Sequence, residues 1–464
     1  MHIVSAAMVP HPPLIIPQVG RGQEKAIGHT IESYQKAAEL LASHKPETIV
    51  VLTPHSVMYG DYFHISPGKN AKGSFAQFQA GEVAFSVAYD TEFVAELCRR
   101  ADGEGLHAGT RGERDAKLDH GTMVPLYFLR EACGGEIRSR IVRIGLSGLP
   151  YHDHYRLGML IRETAEHLGR KTAIVASGDL SHRLKPDGPY GFKEEGPVYD
   201  RRVMDVMGRA AFGELFEFVP DFCESAGECG HRSMLILAGC FDGLRVKGDR
   251  LSYEGPFGVG YGVCTYLPEG EDPERHFLAE YANRQKAMLD TKKRKEDAYV
   301  RLARKSLEAY VLRGETIDVP DGLPGEMTAH KAGAFVSLKK DGQLRGCIGT
   351  ISATTQSIAH EIIQNAISAC AHDPRFEPVA PEELDGLLYS VDILAEAEDI
   401  DSPQMLDVKR YGVIVTSGHK RGLLLPNLDG IDTVEEQIAI AKRKAGIRDN
   451  EKVSLKRFEV IRHH

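Results

Sequence analysis

With 464 residues, 42% hydrophobic and 27% charged, the chain can bury more than one core, and two or three domains are expected. A net charge of −9 argues against nucleic acid as the main partner, because a phosphate backbone calls for a basic surface. No apolar run approaches the ~20 residues that cross a bilayer, so no membrane partner is expected either.

The N-terminus, Met1-His-Ile-Val-Ser-Ala-Ala, carries no basic leader and reads as a first strand. The eight cysteines (98, 133, 223, 229, 240, 264, 347 and 370) include no Cys-x-x-Cys pair, which disfavours a zinc ribbon or a thioredoxin-type site. Reduced thiols in a cytoplasmic protein are the expectation.

In chain order, residues 2–8 form a strand that ends at Pro10. Apolar positions at helical spacing, among them Ile27, Ile31, Tyr34, Ala38 and Leu41, predict a helix over 23–43. The apolar run 48–53 predicts a central strand covered on both faces, delivering Pro54-His55. Helices are predicted over 92–100, from His120 with Pro125 in the first turn or two, and over 154–168, 199–209 and 231–240. Strands are predicted over 140–145, 172–176 and 259–266. This alternation predicts an α/β sandwich around a mostly parallel sheet. Ligands bind at the C-terminal ends of strands in such sheets.

The character changes after Pro268. Dense mixed charge over 269–294 predicts a linker that becomes a solvated helix leading into 298–312. A second, smaller α/β domain is predicted over 295–464. Its strands cover 333–338, 344–349, 387–394 and 412–416, its helices 357–371 and 433–445, and Asp341-Gly342 is a hairpin signal.

Thirteen of the 20 histidines precede residue 268. Four sit just beyond apolar runs or open a helix: His11, His55, His120 and His182. Imidazoles on rigid strand ends suit a divalent metal, and two His with one carboxylate leave open positions, the pattern of non-haem Fe(II) enzymes. A further His held off the metal can move protons near neutral pH. Asp179 is either a turn former or a group that orients His182 or contacts substrate. His152 and His154 are read as surface loop residues.

The four segments together resemble the class III extradiol dioxygenase superfamily, the LigB-like fold that includes Memo proteins. Val9-Pro-His11 resembles its first metal histidine and Ile49-Val-Val-Leu-Thr-Pro-His55 its second. Asp119-His120-Gly-Thr-Met-Val-Pro-Leu resembles its substrate-pocket segment, and Ser177-Gly-Asp-Leu-Ser-His182 its acid/base segment. The resemblance covers 1–268. It implies a metal held by His11, His55 and a third ligand, with catalysis by His182, His120 and Asp179. Glu228 would complete a two-His-one-carboxylate triad, Cys229 matches the Memo branch, and Glu224 is a third alternative. A carboxylate points to Fe(II), whereas a thiolate favours Zn(II) or Cu. Tyr261, His231 and Arg232 are candidate substrate-side groups. The implied substrate is a small catechol-like or otherwise chelating aromatic.

In the second domain, Leu344-Arg-Gly-Cys-Ile-Gly-Thr350, Asp373-Pro-Arg-Phe-Glu-Pro378 and Gly422-Leu-Leu-Leu-Pro426 resemble the AMMECR family. Arg345 and Cys347 on a hairpin strand are the candidate pocket residues, since a nearby cation favours thiolate. Fusion of the two domains resembles the AmmeMemoRadiSam set, which implies a radical-SAM partner protein. No Cys-x-x-x-Cys-x-x-Cys motif is present, so that partner would be a separate chain, and its oxygen-sensitive chemistry weighs against O₂ as co-substrate. The rival to a dioxygenase is therefore a Memo-like metal-binding protein or a non-oxidative metalloenzyme. A homodimer is the default oligomer.

Overall fold

The apolar runs read from the sequence become neighbouring strands. The computed structural model describes residues 2–340, 342–428 and 430–464. The chain separates into two compact units, Met1–Ala282 and Asn283–His464.

The first unit is built on six strands: β1 (Ile3–Val9), β2 (Thr48–Thr53), β3 (Arg140–Gly145), β4 (Thr172–Ser177), β5 (Leu244–Glu254) and β6 (Tyr261–Glu271). Their order is β3-β2-β4-β1-β6-β5. The first four are parallel, and β6 and β5 add antiparallel pairs. Alternation along each strand feeds two cores. Met8, Leu52 and Ala176 enter one, and Val9, Val51 and Val175 the other, so the parallel strands are buried on both faces. One face is covered by α1 (Gly28–Ser43), and the other by α2 (Thr91–Gly103). Helix α3 (His120–Ala132) joins the α1 side, while α4 (Tyr151–His167), α5 (Glu195–Gly208), α6 (Pro220–Ala226) and α7 (His231–Gly239) join the α2 side.

Helix α6 is additional to the sequence expectation, α1 starts at Gly28 rather than at 23, and further details differ. β5 is an additional strand, bearing Arg245, Lys247, Asp249 and Arg250 at the sheet margin, where charge blunts an open edge. An additional hairpin pairs Asn70–Phe75 with Ala80–Ala88. His152 and His154 lie in α4, not in a loop, and His154 is buried, its ring edge-on to Phe63. Burial holds the His154 imidazole down to about 3.

The stretch after β6 continues as α8 (Phe277–Lys295), which buries none of its residues. In the second unit the strands are β7 (Gly333–Lys340), β8 (Gln343–Gly349), β9 (Leu387–Leu394), β10 (Glu398–Ile400), β11 (Tyr411–Ser417), β12 (Lys420–Leu424) and β13 (Ser454–His463). They pair antiparallel in the order β8-β7-β9-β13-β11-β12, with β10 also on β13. Helices α9 (Ala298–Arg313) and α10 (Ile358–Ala371) pack on β7 and β9, and α11 (Val434–Lys444) packs on β11 and β12. Asp341 of the expected hairpin turn lies outside the described residues; Lys340 pairs with Gln343 beside it.

Helices α4 and α7 meet backbone to backbone. A Cβ on Gly158 would land on the carbonyl oxygen of Ile236, and one on Gly239 on that of Tyr155. This closeness fixes α7, whose N-terminus carries the Cys229-Gly230 turn. Gly158→Ala is therefore expected to destabilise the unit by about 1–3 kcal/mol despite the better helix propensity of alanine. Urea unfolding of the two proteins measures it; equal or higher stability in the variant would contradict the close contact.

Candidate metal centre

β1, β4 and β2 are consecutive in the sheet and parallel, so their C-terminal ends share one edge. His11 follows β1, Asp179 and His182 follow β4, and His55 follows β2. The fourth histidine, His120, is the first residue of α3, held at the same edge because Asp119 caps that helix. The Asp119 carboxylate accepts the Thr122 N–H (2.9 Å) and the Thr122 hydroxyl (2.9 Å).

Nε2 of His11 and Nε2 of His55 face one another at 2.9 Å. Ring centroids of His55 and His120 are 4.0 Å apart, and those of His11 and His120 5.5 Å. One nitrogen from each of the three lies within 4.8 Å of the other two. His11 is only 2% exposed. Its burial, reinforced by His55, His120 and His182, holds the imidazole well below its usual value. His55 is held down to about 4, by burial first and then by His120. Neutral imidazoles are the state that binds a metal ion.

His182 lies near enough to His11 and His55 to depress both. Its Nδ1 donates to the Gly227 carbonyl at 2.5 Å, leaving Nε2 as an acceptor. The exposed ring of Tyr190 stands edge-on to it at 5.2 Å. Asp179 accepts the His11 backbone N–H at 2.8 Å, and burial pushes its carboxyl up to about 7.

Of the three alternatives for a further ligand, the structure brings Cys229 to the histidines. Its Sγ is 3.6 Å from His11 Nε2 and accepts the Asp179 N–H at 3.3 Å. Gly178 permits this: a Cβ there would collide with the Cα of Gly230. Glu228 is engaged elsewhere. Its carboxylate accepts the His231 N–H at 2.6 Å at the start of α7, and burial pushes it up to about 7. Glu224 lies exposed on α6.

Two of the expected substrate-side groups are not in the cleft. His231 is fully buried, with Nε2 donating to the Leu215 carbonyl (3.1 Å) and Nδ1 accepting the Tyr199 hydroxyl (3.3 Å). Tyr261 is 2% exposed and stands by Asp179, whose charge adds to burial in raising the phenol. The cleft that opens beside His55 and His120 has a volume of about 740 Å³, with Lys72, Ser74, Met123 and Arg143 in its walls. Lys72 and Ser74 come from the additional hairpin. Arg143 is 1% exposed and donates to the Ser66 hydroxyl and the Lys117 carbonyl, both at 2.6 Å; Asp119 is 3.6 Å away. It therefore anchors the segment leading to His120.

Sequence reasoning passed over Thr53 and Ser177, the last residues of β2 and β4. The Thr53 hydroxyl donates to Asp119 (2.6 Å) and accepts the His55 N–H (3.2 Å). A hydroxyl residue closing an apolar strand immediately before a histidine turn was the available signal.

Residues 5–264 match the family described as the catalytic LigB subunit of aromatic ring-opening dioxygenase. The chain belongs to the LigB family. Residues 300–463 match AMMECR1, so this LigB protein carries an AMMECR domain C-terminal in sequence to the dioxygenase-like fold. Protein CA_C1420 of Clostridium acetobutylicum is 42% identical, covering 98% of each chain. A Thermotoga maritima protein is 49% identical over 170 residues, 36% of this chain and 98% of that one. Among solved structures, the uncharacterised protein JW3007 of Escherichia coli is 15% identical with a TM-score of 0.37, covering 57% of this chain and 99% of that one. The LigB donor set fits a divalent ion. The 2.9 Å between the two Nε2 atoms is close to the spacing of two ligands at a right angle, each about 2.0–2.1 Å from one ion.

In the AMMECR domain, Arg345 does not face an open pocket. It is bidentate to Glu383 (3.0 and 2.8 Å) and donates to the Glu377 carbonyl (3.0 Å). The cation against Cys347 is Arg375, which donates to its carbonyl at 3.0 Å, while Asp373 accepts the Cys347 N–H at 2.9 Å. The hydrogen bond from Arg345 holds the Glu383 carboxyl down to about 2 from its ordinary 4.5. A depressed folded-state value stabilises above 4.5 and loses that contribution as pH falls toward 2. The C-terminal unit is expected to lose stability in that window, and Glu383→Gln to reduce the slope, in urea titrations of the full chain between pH 5 and 2. Identical slopes would contradict the assigned ion pair.

Proposed function

We propose that the N-terminal unit is a metal-dependent enzyme of the class III extradiol type, acting on a small aromatic substrate with two adjacent oxygens. The observation that carries this reading is the His11, His55 and His120 trio at the C-terminal edge of the sheet. A non-haem Fe(II) held there would supply open positions for a chelating substrate and O₂. His11 and His55 are the principal ligands, and His120 adds its nitrogen from the cleft side. His182, neutral and with Nδ1 committed to Gly227, offers Nε2 to take a proton from a substrate hydroxyl. Asp179 holds the His11 backbone in place. The cleft volume of about 740 Å³ suits a single-ring substrate with its substituents.

Cys229 favours a second reading. A thiol 3.6 Å from His11 Nε2 supports a His, His, Cys site of the Memo type, holding Zn(II) or Cu and turning over no O₂. In that reading the protein acts with a separate radical-SAM partner.

O₂ uptake by protein purified without oxygen and loaded with Fe(II), offered a panel of catechols, separates the two. The dioxygenase reading predicts uptake that falls by about 10²–10⁴-fold in His182→Ala at unchanged iron content. Full iron loading without uptake on any catechol would favour the second reading.

A further inference from the structure

The His11 ring has a second contact, on the side away from the other histidines. Its Nδ1 lies 3.0 Å from the Ser177 hydroxyl. That hydroxyl has one proton, and it points to the Gly121 carbonyl at 2.6 Å. Ser177 can therefore only accept from His11, so Nδ1 carries the proton and Nε2 is left with its lone pair toward His55.

The Gly121 carbonyl is available for a reason written in the helix. In α3 its intrahelical donor would be the N–H of residue 125, and residue 125 is proline. Proline supplies no N–H, and its ring pushes the carbonyl four residues back out of line. Pro125 thus leaves the Gly121 carbonyl in need of a donor, and Ser177 is that donor. Gly121 adjoins His120, and Ser177 is fully buried. A single hydroxyl links β4, the first turn of α3 and the β1 histidine.

We infer that Ser177 is a positioning residue that locks His11 as its Nδ1–H tautomer, with the Gly121 carbonyl, freed by Pro125, aligning the hydroxyl. The role in metal binding rests on the metal-centre reading above; the tautomer does not. Partners of this kind, hydrogen-bonded to the far nitrogen of a ligating imidazole, affect affinity by about 10–100-fold.

The test uses the full chain with Ser177→Ala and Ser177→Thr. Long-range ¹H–¹⁵N spectra of ¹⁵N-histidine-labelled, metal-free protein read the tautomer, with His11→Gln assigning the resonance. Wild type is expected to show a protonated Nδ1 and a bare Nε2 at His11, Ser177→Ala to lose that preference, and Ser177→Thr to keep it. Zn²⁺ titration against a chromophoric chelator is expected to show about 10–100-fold weaker binding in Ser177→Ala, restored by threonine. A His11 Nε2–H tautomer in wild type would overturn the inference. So would an unchanged tautomer and unchanged Zn²⁺ affinity in Ser177→Ala. A wild-type chain that binds no divalent ion would overturn the metal-centre reading instead, leaving the spectrum to decide the tautomer.

Discussion

Two imidazole nitrogens 2.9 Å apart, one on buried His11 and one on the more exposed His55, are the constraint around which the first unit is arranged. With its other nitrogen committed to Ser177, His11 can offer His55 only a lone pair. The gap is then stable in two ways: His55 brings a proton, or both nitrogens share a cation. Burial, which holds both imidazoles below their usual range, excludes only a charged imidazolium here; a neutral His55 in its Nε2–H form donates to His11, and a metal ion would displace that proton. The surrounding parts serve to keep this pair in register. β1, β4 and β2 set the spacing, Thr53 and Ser177 tie two histidine-bearing turns to the start of α3, and Asp119 and Arg143 anchor that start.

Much of this was legible because the parallel strands are buried on both faces. Unbroken runs such as 48–53 and 172–176 can be read without tertiary knowledge. Marginal elements were not. β5 hides its strand character under charge because its neighbour lies on one side only. The 70–88 hairpin carries a clear alternation of burial, yet its Gly, Ser, Gln and Lys content masks it in sequence. For site residues the limit is direction. Glu228 and Cys229 are adjacent in sequence, and only the fold decides that the carboxylate turns to the His231 N–H while the thiol turns to His11. His231 illustrates the same limit: two hydrogen bonds and full burial make it part of the core. Arg345 does too, since its charge is taken up by Glu383.

The two units differ in how their polar groups are used. In the AMMECR domain the motif residues knit β8 to the segments around 373–378 and 383, through Arg345 with Glu383 and Asp373 with Arg375. These are charges paired at partly exposed positions, where solvent screens the interaction. In the LigB unit the three imidazoles converge on a common point, from a buried His11, a half-buried His120 and an exposed His55. The cluster that could hold a metal lies in the first unit, whereas Arg345 and Asp373 of the second are engaged in ion pairs.

The central claim is that one divalent ion sits between His11 and His55. Metal content of the full chain purified without oxygen, compared with the His11→Ala/His55→Ala double variant at equal folded fraction, tests it most directly. The account predicts about one ion per chain in the wild type and none in the variant. Equal metal stoichiometry in the two proteins would contradict it.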